Sequence, residues 1–191
     1  MKKIILAAFV AVASLTANAQ WWAGGEVGFN TWKTTSDGHD LGKGHEFTVA
    51  PEIGYKLNDK IDVAVLVGFT HVKNGDQLFD YEFDSAFDYA NGFKINPYIR
   101  YTFAKAGNFS FFGDGGFSYA LLHPCGADKS ANAWEIAVKP GIAYALSDKV
   151  SLVAHVGCVG YQFIKWDEWK KNAFQAGVDG NNISLGCYVN F

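Results

Sequence analysis

From Pro51 to Phe69 the chain reads PEIGYKLNDKIDVAVLVGF, with apolar side chains on every second position: Ile53, Tyr55 and Leu57, then Ile61, Val63, Val65, Val67 and Phe69. A period of two belongs to a strand with one apolar face. Asn58-Asp59-Lys60 between the two runs is a polar tight-turn signal, so the stretch predicts a β-hairpin. The same unit returns from Pro140 as PGIAYALSDKVSLVAHVG, and more loosely from Pro97 as PYIRYTFAKAGNFSFFGDGGF. The three starts are 46 and 43 residues apart. Repeated hairpins at such spacing predict an antiparallel array.

Extended to the whole chain, the pattern predicts eight strands, at about 22–32, 45–57, 61–72, 93–103, 109–121, 133–146, 150–163 and 182–191. A tilted strand of ~9–11 residues crosses a bilayer, and these are about that long. Three connections are short: Asn58 to Lys60, Ala104 to Asn108 and Ser147 to Lys149. Four are longer: Lys33 to Gly44, Lys73 to Gly92, Leu122 to Asn132 and Ile164 to Asn181. Short turns at one end and long loops at the other predict an all-β fold, an eight-stranded antiparallel up-and-down transmembrane β-barrel. The even strand count puts both termini at the short-turn end.

Lys2-Lys3, the apolar run Ile4 to Val12 and Ala17-Asn18-Ala19 read as a signal peptide over 1–19, followed by a barrel domain over 20–191. Without Lys2 and Lys3 the formal charge of −3 becomes −5, which argues against nucleic acid as a partner. No later apolar run is long enough for a helical span. Cys125, Cys158 and Cys187 are an odd number, widely spread, and form neither a disulfide framework nor a metal motif. Cys158 and Cys187 are expected to face outward as small apolar residues.

Alternation alone does not say which face meets lipid. The polar face is also rich in small residues, among them Gly24, Gly28, Ala50, Gly54, Ala64, Gly68, Gly116, Gly141, Ala143, Gly157 and Gly186. The interior of an eight-stranded barrel is just wide enough to be filled by side chains, and small residues suit it. Aromatics gather at the ends of the apolar face: Tyr55, Tyr101, Phe103, Tyr144 and Phe191 near the turns, Phe47, Phe69, Phe93 and Trp134 near the loops. Two girdles match two bilayer interfaces. The chain ends on Ser184-Leu185-Gly186-Cys187-Tyr188-Val189-Asn190-Phe191, a strand with a terminal aromatic. With Ser184, Gly186, Val189 and Phe191 in their places, it looks like the signal strand read by the outer-membrane barrel-assembly machinery. Together with the leader and the eight strands, the chain resembles the small outer-membrane barrel family of OmpX and the OmpA membrane domain. That resemblance implies an integral protein of the cell outer membrane, exported through a cleaved leader. It stops at Phe191, so the peptidoglycan-binding role of a periplasmic OmpA domain is not implied.

On this register Glu26, Glu52, Arg100, Asp114, Glu135, Lys139 and His155 point inward at middle depth, with Lys56 and Asp62 nearer the turn end. Arg100 is the sole arginine. Its planar fork serves carboxylates bidentately. The expectation is a closed network centred on Arg100, with Glu52, Asp114 and Glu26 as acceptors and Lys139 as second cation, because buried charges must be paired. Among the loops, Leu78-Phe79-Asp80-Tyr81-Glu82-Phe83-Asp84 continues the strand period and predicts a β-extension above the membrane. Its edge is suited to pairing with a partner. Lys165-Trp166-Asp167-Glu168-Trp169-Lys170-Lys171 offers lysines and tryptophans to lipid head groups or a ligand, with helical character as one conformation. Phe79, Tyr81, Phe83, Trp166 and Trp169 are thus candidate loop contacts. The histidines have no serine and carboxylate at a recognisable spacing, so no catalytic site, cofactor or metal is expected. The expected role is structural or surface interaction. Expected partners are outer-membrane lipids and lipopolysaccharide, the assembly machinery, and an extracellular protein or surface ligand. A narrow porin-like channel, or a lipid-modifying enzyme, is the alternative.

Overall fold

Most of the alternating runs become strands that are longer than the pattern suggested. In the computed structural model, residues 20–36, 39–78, 81–126, 129–177 and 183–191 are described, with side chains left out at 30–43, 75–87 and 183. The leader expected at 1–19 lies outside the described residues. The elements are β1 (Trp21–Ser36), β2 (His39–Lys56), β3 (Ile61–Leu78), β4 (Tyr81–Ala106), β5 (Phe109–Pro124), β6 (Ala131–Ala145), β7 (Val150–Val156), β8 (Cys158–Trp166), β9 (Trp169–Gly177) and β10 (Ile183–Asn190).

Each of β1 to β6 pairs antiparallel with the next. The ring then runs from β6 through β7 and β10 back to β1, closing an eight-stranded barrel. The last strand shuts it where Phe191 N–H donates to Trp21 C=O at 3.0 Å. The start of β1 and the end of β10 sit at the short-turn end. The repeated turns are built alike: Asn58 Oδ1 accepts from the N–H of Lys60 and Ile61 at 2.9 and 3.0 Å, and Ser147 Oγ from those of Lys149 and Val150 at 3.3 and 3.1 Å.

Three expectations need correction. The seventh strand is broken: β6 pairs with β7 at Gly141↔His155 but with β8 at Val138↔Val159, one residue out of register. The extra residue is Gly157, at φ 92°, opposite the stretch holding Pro140, which has no N–H to give a ladder. The bulge flips the facing, so Cys158 is buried inside the barrel and not on lipid, while Cys187 is exposed. Second, the long loops are mostly strand. β3 and β4 pair as far as Leu78↔Tyr81, which realises the β-extension in backbone; Phe79 lies outside the described residues. Third, the Trp166–Trp169 segment is not helical. It is a tight hairpin joining β8 to β9, with Asp167 at φ 54°.

The outer face carries the large apolar side chains. Phe29, Phe47, Phe69 and Phe93 form one exposed belt along neighbouring strands, and Tyr101, Phe103, Phe109 and Tyr144 another near the turns. Above the barrel's closed part, β1 and β2 pair only with each other, and so do β3 beyond Lys73 and β4 above Tyr89. These are two-stranded ribbons.

Candidate functional site

The lumen is filled in two storeys by side chains from the polar face. The lower storey, toward the turns, is organised by glycine. Trp22 is the direct cross-strand partner of Gly54, Tyr188 of Gly24, Tyr98 of Gly116 and Phe112 of Gly141. For Trp22, Tyr188 and Phe112 the ring lies over the glycine, whereas Gly116 faces the Cβ of Tyr98. A Cβ on Gly54, Gly24, Gly116 or Gly141 would come within 2.2, 2.2, 2.7 or 2.3 Å of its aromatic partner. The sequence pattern showed the glycines but not the rings they seat.

Those four rings enclose Arg100. Its Cζ lies 4.0 Å from the Phe112 centroid, 4.8 Å from Tyr188, 5.5 Å from Trp22 and 5.6 Å from Tyr98. A cation held against aromatic faces in a site sealed from water is well served by their quadrupoles. Arg100 also donates bidentately to Asp114, Nε to Oδ1 at 2.8 Å and Nη2 to Oδ2 at 2.6 Å, and Nη2 lies 2.9 Å from the Tyr188 hydroxyl. Trp22 Nε1 donates to Asp62 at 3.1 Å.

The expected acceptor set is therefore redistributed. Asp114 takes Arg100, but Glu52 accepts from the Tyr98 hydroxyl at 2.5 Å, and Glu26 faces His155 Nδ1 at 2.7 Å. Two tyrosines stand between the guanidinium and the other carboxylates, a consequence of strand stagger that residue spacing does not show. His155 links the two groups, with Nε2 at 2.8 Å from Asp114 Oδ2. Lys139 does not join Arg100. It lies 3.2 Å from Glu135, in a second cluster with Lys94 at 3.5 Å. Glu135, 2% exposed, also accepts from Ser118, Gln162 and Gln175 at 3.4, 3.1 and 3.3 Å. Neither Lys94 nor the hub role of Glu135 was anticipated. Their signal was present as polar residues at even spacing on β4 and β6.

The upper storey is apolar. Val72, Ala90, Ala120, Leu122, Ala131, Ala133 and Ile164 form a buried cluster, and Trp166 and Trp169 pack against it. The two tryptophans therefore turn inward, partly buried. Trp166 Nε1 donates to Lys129 C=O at 3.0 Å. Tyr81 and Phe83 lie on β4 in the ribbon. Between the storeys is a cavity of about 190 Å³, lined by Glu26, Glu52, Lys139, His155, Cys158 and Ser184 among others.

Ser184 Oγ lies 3.3 Å from His155 Nδ1, so a serine, a histidine and Asp114 do meet, although nothing in their spacing announces it. Both ring nitrogens also face carboxylates, Nδ1 that of Glu26 and Nε2 that of Asp114. Among the described residues no group of three or more His, Cys, Asp or Glu is placed to hold a metal ion. Of the residues expected to form an assembly signal, Ser184 and Gly186 face inward and Val189 outward on β10, with Phe191 just beyond its end.

A protein-family model for the outer membrane protein β-barrel domain matches residues 4–181. No curated protein matches the sequence. Among solved structures, the chain is similar to Neisserial surface protein A (NspA), at 17% identity and a TM-score of 0.52, over 91% of this chain and 98% of that one. A major outer membrane protein from Thermus thermophilus matches at 15% identity and a TM-score of 0.49, over 90% and 98%. The N-terminal β-barrel domain of Pseudomonas aeruginosa OprF matches at 13% and 0.45, over 89% and 97%. The likeness to NspA is one of fold.

Proposed function

The chain belongs to the outer membrane protein β-barrel domain family, and from that premise we propose that it works as a sealed barrel. It holds its outer ribbons at the cell surface, where they make contacts, and neither conducts ions nor carries out chemistry. The observation that carries this reading is the double filling of the lumen: an arginine caged by four rings below, and an apolar cluster above. An ion crossing the barrel would have to displace both. The contact surface is the free backbone edge of the β3–β4 ribbon, where an extended partner segment can add as a further strand. Tyr81 and Phe83 lie on that ribbon. The strand that ends at Phe191 serves the assembly machinery in the same reading, because it is the strand that closes the ring.

Planar-bilayer recording tests the sealed lumen. The reading expects no unitary current from the purified barrel, whereas regular conductance steps would favour the narrow pore. Trimming the ribbon between Asn74 and Asp88 should remove any surface adhesion that expression confers and leave the barrel folded. Adhesion kept by the trimmed barrel would move the contact elsewhere.

A further inference from the structure

Lys165 and Lys170 stand directly opposite each other across the β8–β9 pair, and Asn132 is the partner of Lys165 on β6. The burial alternation puts all three on the outward face, since Ile164 and Gln162 point inward. Directly opposed side chains in an antiparallel pair have Cβ atoms ~4.5–5.5 Å apart, and like charges so placed destabilise it. Lys129 is neutralised by Asp167 at 2.6 Å and the buried lysines by Glu135, but Lys165 and Lys170 have no acidic partner among the described residues. Asn132 adds donors to the row: its Oδ1 accepts from the Tyr119 hydroxyl at 2.6 Å, which leaves the amide N–H groups facing out. One step down the same face lie Trp134 and Phe163, themselves cross-strand partners, with the Tyr119 ring 4.6 Å from that of Trp134. A row of donors directly above a row of rings is the profile of a membrane surface, apolar below and phosphate-bearing above.

We propose that Asn132, Lys165 and Lys170 form a binding site for the phosphate of an outer-leaflet lipid, whose chains lie against Trp134 and Phe163. The anion between the two ammonium groups relieves their repulsion, which explains why the strand pair tolerates them. The site rests on the outer-membrane reading with the β8–β9 tip outside. It does not depend on the lumen being sealed, so conductance and lipid binding fail independently.

The test uses the full barrel, refolded in uncharged detergent at low salt. The probes are lipid A with both phosphates, the same lipid dephosphorylated, and inorganic phosphate. Phosphorylated lipid A should raise the thermal unfolding temperature by a few degrees, and the other two should leave it unchanged. K165Q/K170Q should bind phosphorylated lipid A roughly tenfold more weakly, the scale of two lysines near a charged membrane surface, and lose most of the rise. K165R/K170R should keep it, as should K60Q/K149Q at the turn end. The single variants K165Q and K170Q carry the test if the double one does not fold. An equal rise in K165Q/K170Q, a rise from dephosphorylated lipid, a rise from inorganic phosphate alone, or no rise from any probe would overturn the site.

Discussion

The two storeys of the lumen solve the same problem with opposite chemistry. The lower one fills the barrel with four large rings and a charge, three of the rings seated on a glycine across the strand. The upper one uses four alanines with Val72, Leu122 and Ile164. The lower storey is specific because its parts are large and its gaps small: a ring fits only where the opposite residue has no Cβ. The upper storey is ordinary apolar packing, in which small residues let facing walls approach. The lower storey also lies where the ring of eight strands is completely paired. The upper one lies where β9 pairs with β8 alone and the ribbons begin. Charge and aromatic bulk are concentrated where the wall is completely paired.

That contrast breaks most sharply at glycine. Gly54→Val places carbon where the Trp22 indole lies, and should abolish the folded, heat-resistant form on a gel. Gly115→Val, on the outer face with nothing within 4 Å of its Cβ position, should fold normally. Next comes the ion pair. Arg100→Ala takes the bidentate partner from Asp114, which keeps His155, and should cost about 3 kcal/mol in denaturant unfolding. The double variant Arg100→Ala/Asp114→Ala should lose clearly less than the two single losses added together, because the two residues share one interaction. In the upper storey Ile164→Val removes one methylene from a 2% exposed position and should cost about 1 kcal/mol. The smallest effect is expected at the turn. Asn58→Ala gives up two exposed backbone caps and should cost about 0.5 kcal/mol, read as a shift in unfolding midpoint at unchanged slope.

Much of this was legible in the residues. Strict alternation in 51–69 and its two copies gave the strand period, the tight turns and the inward set through His155. The small residues on the polar face pointed to a narrow interior. Three things were hidden for physical reasons. A bulge changes facing without changing the local pattern, so Cys158 read as outward until Gly157 was seen to absorb a residue. The interior rings were not singled out, yet Trp22, Tyr98, Phe112 and Tyr188 sit on the polar face by the same count that placed Gly24 and Gly54 there. Pairing across strands, and therefore who meets Arg100, depends on stagger, which is a property of the closed ring. This is why Glu26 and Glu52 found His155 and Tyr98, and why Lys139 went to Glu135.

The sealed lumen can be tested on the native chain through its own cysteines. Cys158 faces the cavity between the storeys and Cys187 faces outward on β10, while Cys125 lies beyond the end of β5. The folded barrel is treated with a charged, membrane-impermeant thiol reagent and the modified peptides are identified by mass spectrometry. Cys158 should stay unmodified until the barrel is unfolded, while Cys125 reacts. Modification of Cys158 in the folded barrel at a rate near that of Cys125 would mean that water and solutes reach the cavity freely, and the filled lumen would be contradicted.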